Sequence, residues 1–266
     1  MTRVWQDEDG QQYAIAPTTD DEGVRGRRLL IADADGDLDV ALEVLSKPPA
    51  PMQEITATWH RPVQPLLLQR FATDVVTELL DGVVRRGQTG WLQTNIAYAL
   101  SWAGLEVSRW WGPEWPLVED GAAGNAYSEP DADAVPFAWL GLALNTGDVE
   151  IDIYQDDAYF GLCFEPQARR VLTDNDPGYF RLHESLPLPI GRIEQVRVTI
   201  DTTTLDDPFS DIVLAEAVLM VGGQPVPLIA AENYGPNEWH RLDESVVILR
   251  DSAALKNLDW HPPRPV

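Results

Sequence analysis

Asp37-Leu38-Asp39-Val40-Ala41-Leu42-Glu43-Val44 places a large aliphatic residue at every second position. That is the period of a half-buried strand; a helix would repeat its apolar residues every three or four. Working outward, Arg28 to Ala32 reads as an earlier strand, and the intervening Asp33-Ala34-Asp35-Gly36 supplies the turn of a hairpin. Beyond a break at Pro48, Pro49 and Pro51, Glu54 to His60 alternates again, with Ile55, Ala57 and Trp59 on one face. The N-terminal part is therefore expected to be a small antiparallel meander.

The period then changes. From Pro65 to Arg86, Leu68, Phe71, Ala72, Val75, Leu79 and Val83 recur at steps of three and four, which predicts an amphipathic helix. A second helix is predicted from Trp91 to Ala103, ended by Gly104, with Leu92, Ile96, Ala99, Leu100 and Ala103 as its apolar stripe. Leu105 to Trp111 reads as extended. Strand patterns follow at 137–144, 149–155 and 158–164, then at 193–202, 212–221, 226–231 and 245–250, punctuated by turns such as Asn145-Thr146-Gly147-Asp148 and Gly222-Gly223. The expected class is α+β, with antiparallel β-meanders flanking a central pair of amphipathic helices. Two parts are expected, 1–110 (meander plus helices) and 111–266 (β-rich), or one continuous domain.

Charge narrows the partners. The chain of 266 residues carries a formal −24, and the 59 residues between Arg109 and Arg169 hold no Lys or Arg but 12 Asp or Glu. Long-range repulsion opposes nucleic-acid phosphates and anionic membrane faces, so neither is an expected partner. The longest uncharged apolar run, Ala134 to Leu144, is interrupted by Pro136 and falls well short of the roughly 20 residues that span a bilayer. A single cysteine, Cys163, permits no internal disulfide, and the first residues contain no apolar signal-peptide core. A cytoplasmic protein is expected.

Chemical motifs are sparse. Leu29 to Leu38, with its Asp33-Ala34-Asp35-Gly36 turn, resembles over ten residues the first motif of haloacid-dehalogenase-type phosphatases. Asp37, however, stands where that family has a hydroxyl residue, and the alternation beyond Gly36 favours a plain hairpin. The same cluster lacks the order of an EF-hand loop, because its glycine falls at the fourth place instead of the sixth. His60, His183, His240 and His261 are widely separated, with no spacing suited to zinc. Cys163 sits in an apolar strand pattern and reads as core filler. No catalytic residue, cofactor or metal is expected.

Two loci remain. The acidic and aromatic stretch offers Trp110, Trp111, Glu114, Trp115, Asp148, Glu150, Asp152, Asp156 and Asp157 as a docking surface for a basic protein: carboxylates speed encounter and aromatics supply contact area. The segment 232–240 gathers Glu232, Asn233, Tyr234, Glu238, Trp239 and His240 in an expected loop that suits a polar ligand. The first locus implies a non-enzymatic binding protein that recognises a basic protein partner, as an immunity-protein-like or chaperone-like inhibitor or adaptor. The second implies a hydrolase or carbohydrate-active protein. A structural or assembly subunit is the third reading, and the sequence does not fix the oligomeric state.

Overall fold

The computed structural model describes residues 3–6, 11–33, 35–47, 52–79, 89–117, 124–129, 132–156, 159–166, 179–201, 213–235, 238–250 and 259–261. Five strands open the chain: β1 (Arg3–Gln6), β2 (Gln12–Thr19), β3 (Arg25–Ala32), β4 (Leu38–Lys47) and β5 (Met52–Trp59). Helices α1 (Pro65–Leu79) and α2 (Thr89–Leu100) follow. The next strands are β6 (Glu106–Glu114), β7 (Ala134–Phe137), β8 (Leu140–Leu144), β9 (Gly147–Asp156), β10 (Tyr159–Glu165) and β11 (Arg181–His183). The chain continues through β12 (Gly191–Asp201), β13 (Val213–Val221), β14 (Gln224–Gly235), β15 (Glu238–Leu249) and β16 (Asp259–His261).

The helices do not lie between two meanders, which corrects the expected α+β class: the fold is mostly antiparallel β-sheet. The free edge of β5 is taken by β12, so one sheet runs β1-β2-β3-β4-β5-β12-β13-β14-β15 before continuing through β7 and β6 to β8, β9 and β10. The pairing of Val196 with Ala57 and of Val198 with Ile55 bridges about half the chain, and strand periodicity carries no information on a partner so distant. β6 straddles residue 110 and turns the corner. Its first residues pair with β8 and β12, its last with β7 and β11, and a register shift lies between Val107 and Arg109.

The second layer consists of α1, α2 and the β8–β10 flap. Pro65 opens α1, where its missing N–H costs nothing; Leu68, Phe71, Ala72 and Val75 are buried as predicted, and Val76, not among the predicted positions, is buried with them. They share one core with Leu29, Leu42, Val44, Ile55 and Ala57 of the sheet. Residues 80–86 of the predicted helix lie outside the described residues. α2 buries Leu92, Ile96, Ala99 and Leu100 as expected. The turn beyond it closes on Gly104 at φ +93°, whose N–H donates to Ile193 O at 2.7 Å. At Gly161 of β10, a Cβ would lie 2.8 Å from Leu214 O, so the glycine lets the flap approach β13.

The opening hairpin forms as read. Asp33 Oδ1 accepts the N–H groups of Asp35 and Asp37 at 2.9 Å each, which spends that carboxylate on the turn. The alternation that announced β4 is nevertheless interrupted. Leu29 pairs with Leu42 but Leu30 with Val40, leaving Ala41 as a bulge whose carbonyl accepts from His60 N and Arg61 N. Beyond the bulge the face switches: Leu42 and Val44 are buried, whereas Leu38 is exposed.

Candidate functional site

Of the 232–240 segment, expected as a loop, Glu232–Gly235 instead ends β14 and Glu238–His240 begins β15; 236 and 237 lie outside the described residues. Ala231 pairs with Ser245, yet the next residue, Glu232, pairs with His240. One step along β14 is therefore matched by five along β15, and residues 241–244 bulge away from β14. The parted strands expose a cavity of about 120 Å³ lined by Glu232, Asn233, Glu244 and Ser245, and on the opposite side by Trp115, Pro116, Leu117 and Pro136. Trp115 Nε1 donates to Glu244 O at 2.7 Å, joining the two walls. Ser245 is buried and donates through Oγ to Ala231 O at 2.5 Å, closing the floor where the register breaks.

The two loci read separately in the sequence thus meet, through Trp115 from one and Glu232 and Asn233 from the other. Residue type did not single out Glu244, Ser245, Pro116, Leu117 or Pro136. A trace is present in His240-Arg241-Leu242-Asp243-Glu244, a mostly polar run directly before the apolar Val246-Val247-Ile248-Leu249.

Beside the lining residue Glu232, the Tyr234 phenol donates to Glu232 Oε2 at 3.2 Å, and its ring lies 4.2 Å from that of His240. Desolvation and the nearby Glu232 and Glu244 carboxylates push the Tyr234 pKa above its ordinary value, as expected where the local potential is negative. His240 Nε2 is 3.1 Å from Glu238 Oε1. Trp239 is buried in a small apolar cluster with Ile229, Ala231, Val247 and Leu249, so it supports the hairpin from behind. Asn233 donates through Nδ2 to Gly235 O at 3.0 Å and shapes the tip.

The remaining residues of the acidic stretch are dispersed. Trp110 is fully buried and donates through Nε1 to Pro189 O at 2.7 Å. Trp111 is buried over Gly141, the cross-strand partner of both Trp111 and Glu150. Glu150 is only 2% exposed, so the row Asp148-Glu150-Asp152 is not a uniformly solvated face: Asp148 is exposed and Asp152 half-buried. Of Asp156 only its position at the end of β9 is described, and Asp157 lies outside the described residues.

Glu114 is the least expected of these. Its carboxylate has no exposure, yet it accepts Arg181 Nε and Nη2 at 2.7 Å each and Ser128 N at 2.9 Å, while Oε2 lies 2.7 Å from His183 Nε2. A buried carboxylate is tolerable only with such partners. The buried Ser128 Oγ makes no hydrogen bond among the described residues, so His183 is not joined to it as a base to a nucleophile.

Among the described residues no group of three or more His, Cys, Asp or Glu is placed to hold a metal ion, and no helix is long and apolar enough to cross a membrane. Comparison with protein-family models, with curated proteins and with solved structures gave no match.

Proposed function

We propose that this chain is a non-enzymatic binding protein that takes an arginine side chain of a basic protein partner into the Trp115–Glu232–Glu244 cavity, acting as an inhibitor or adaptor. The observation that carries the reading is the cavity itself, lined at the parted strands by two acidic residues, Glu232 and Glu244, and by Trp115. Its volume of about 120 Å³ suits one side-chain head group and is well below the roughly 300–1,000 Å³ of pockets that enclose drug-sized ligands. A planar guanidinium can donate to carboxylates while stacking on an aromatic face, a combination that an ammonium matches less well. The formal charge of −24 would draw a basic partner toward the surface before contact. The proposal places the protein in the cytoplasm, in keeping with a lone cysteine buried in β10.

The test uses a capped Gly-Arg-Gly tripeptide, its neutral citrulline analogue and calorimetric titration at low and high salt. The arginine peptide is expected to bind, with affinity falling as salt rises, and the citrulline peptide to bind at least tenfold more weakly. Glu232→Gln combined with Glu244→Gln should weaken the arginine peptide at least tenfold. Asp148→Asn combined with Glu129→Gln makes the same change in net charge at exposed positions outside the cavity lining, and should weaken it less than twofold. Equal losses in the two double variants would show attraction to the overall field alone and defeat the cavity reading.

A further inference from the structure

We propose that Glu114, Arg181 and His183 are positioning residues that hold the Trp115 wall of the cavity in place, so that closure of this cluster and occupancy of the cavity are energetically linked. The linkage to occupancy rests on the reading of the cavity given above.

Glu114 is the last residue of β6, and Trp115 follows it directly. Among the described residues the wall is anchored by Trp115 N donating to Pro136 O at 3.0 Å, Trp115 Nε1 donating to Glu244 O at 2.7 Å and Leu117 N donating to Ala126 O at 2.7 Å. The Leu117 anchor depends on residues 125–128, and the indole packs on Tyr179 and Phe180 with ring centroids 5.4 and 4.9 Å away.

Both supporting segments converge on Glu114. Ser128 N donates to its carboxylate, and Arg181 reaches from β11 to Glu114 and, at 3.0 Å, to Ser128 O. The guanidinium also lies over Tyr127, at 4.9 Å from the ring centroid. Asn125 and Tyr127 each donate to Tyr179 O at 3.1 Å, tying the segments to one another. His183 adds its contact to Glu114 and packs edge-on against Phe137, the last residue of β7. The carboxylate that both 125–128 and 179–183 contact is therefore buried one residue from the indole that lines the cavity.

Removing that charge should release the wall before it disturbs β12–β14, which make none of these contacts. A ligand that needs the wall then binds the closed form, and by linkage stabilises it.

The experiment is amide hydrogen exchange on the intact chain, read at Trp115, Leu117 and Ser128, with and without the capped Gly-Arg-Gly peptide. Glu114→Gln is expected to speed exchange at all three amides at least tenfold while amides of β12–β14 keep their wild-type protection. It should weaken the peptide at least fivefold and leave its salt dependence unaltered, since Glu232 and Glu244 remain. His183→Phe keeps the packing on Phe137 and serves as a second variant should Glu114→Gln not fold; it should act in the same direction with smaller size. Wild-type exchange at Trp115 and Leu117 in a folded variant would overturn the proposal, as would faster exchange with unchanged peptide affinity. Failure of the peptide to bind the wild-type chain would instead reject the ligand, and the exchange rates would still decide whether the cluster holds the wall.

Discussion

Asn95 of α2 takes the place of a neighbouring strand beside Phe164 of β10. Its Oδ1 accepts Phe164 N at 2.8 Å, and its Nδ2 donates to Leu162 O at 3.2 Å, so one buried side-chain amide satisfies both backbone groups at the end of the sheet path. Edge strands need such cover, because exposed N–H and C=O groups invite pairing with another chain.

Replacing Asn95 by Leu should therefore cost about 2–4 kcal/mol, since two buried backbone groups lose their partners at about 1–3 kcal/mol each and relaxation returns part of it. Denaturant unfolding gives the number. A loss under about 0.5 kcal/mol would mean that water or a neighbouring segment covers the edge. Asn95→Asp keeps the acceptor, removes the donor and buries a charge, so it should fall at the upper end of the range.

Gly161→Ala should be costly for a different reason. The new methyl group would meet Leu214 O at 2.8 Å and Val213 Cβ at 3.0 Å, and neither belongs to a flexible side-chain end. The flap must lift from β13 or strain, at about 1–3 kcal/mol. Gly23 is the control for glycine loss alone: its φ of +84° strains an added side chain, yet among the described residues no atom lies within 4 Å of a Cβ there. If Gly161→Ala proves as stable as wild type, the close approach of β10 to β13 is wrong.

The exposed ion pairs Arg27–Glu78 and Arg61–Asp39 make a contrasting case. Screening and side-chain entropy leave such pairs worth about 0–1 kcal/mol, so Glu78→Ala should barely move the unfolding midpoint. With a formal charge of −24, added salt should raise that midpoint by screening self-repulsion. A fall in the midpoint with salt would show that local pairs outweigh the net field.

Local features were legible and distant ones were not. The α1 face from Leu68 to Val75, the stop at Gly104 and the Asp33 turn each depend on residues within a few positions, and each was readable from spacing. Pairing of β5 with β12 depends on edges brought together by the whole fold, and no run of alternating residues names its partner. The Ala41 bulge shows the same limit at short range: Leu38, Val40, Leu42 and Val44 alternate in sequence while their faces switch in space. In the candidate site, Trp115 and Glu232 could each be singled out by residue type. Their meeting required the break at Ala231–Glu232, which strands 241–244 outside the ladder, and the buried role of Glu114 required Arg181, a partner 67 residues away.

Tyr234 reports on the cavity through its contact with the lining residue Glu232. Desolvation comes first among the causes that raise its pKa, followed by the Glu232 charge, the hydrogen bond to Glu232 and the Glu244 charge, all of which favour the neutral phenol. Its titration should therefore lie above the ordinary value of 10.0. The sign for stability follows: a group raised in the folded state adds stability below its unfolded value, and that contribution is lost as pH rises through the folded value. Glu232→Gln removes a charge while keeping an acceptor for the phenol, and should lower the titration point; Glu244→Gln should lower it less. Ring-labelled tyrosine followed by NMR resolves the residue among the seven in the chain. An unchanged titration in Glu232→Gln would mean that the carboxylate does not face Tyr234, and the negative lining that favours a cationic ligand would lose its support.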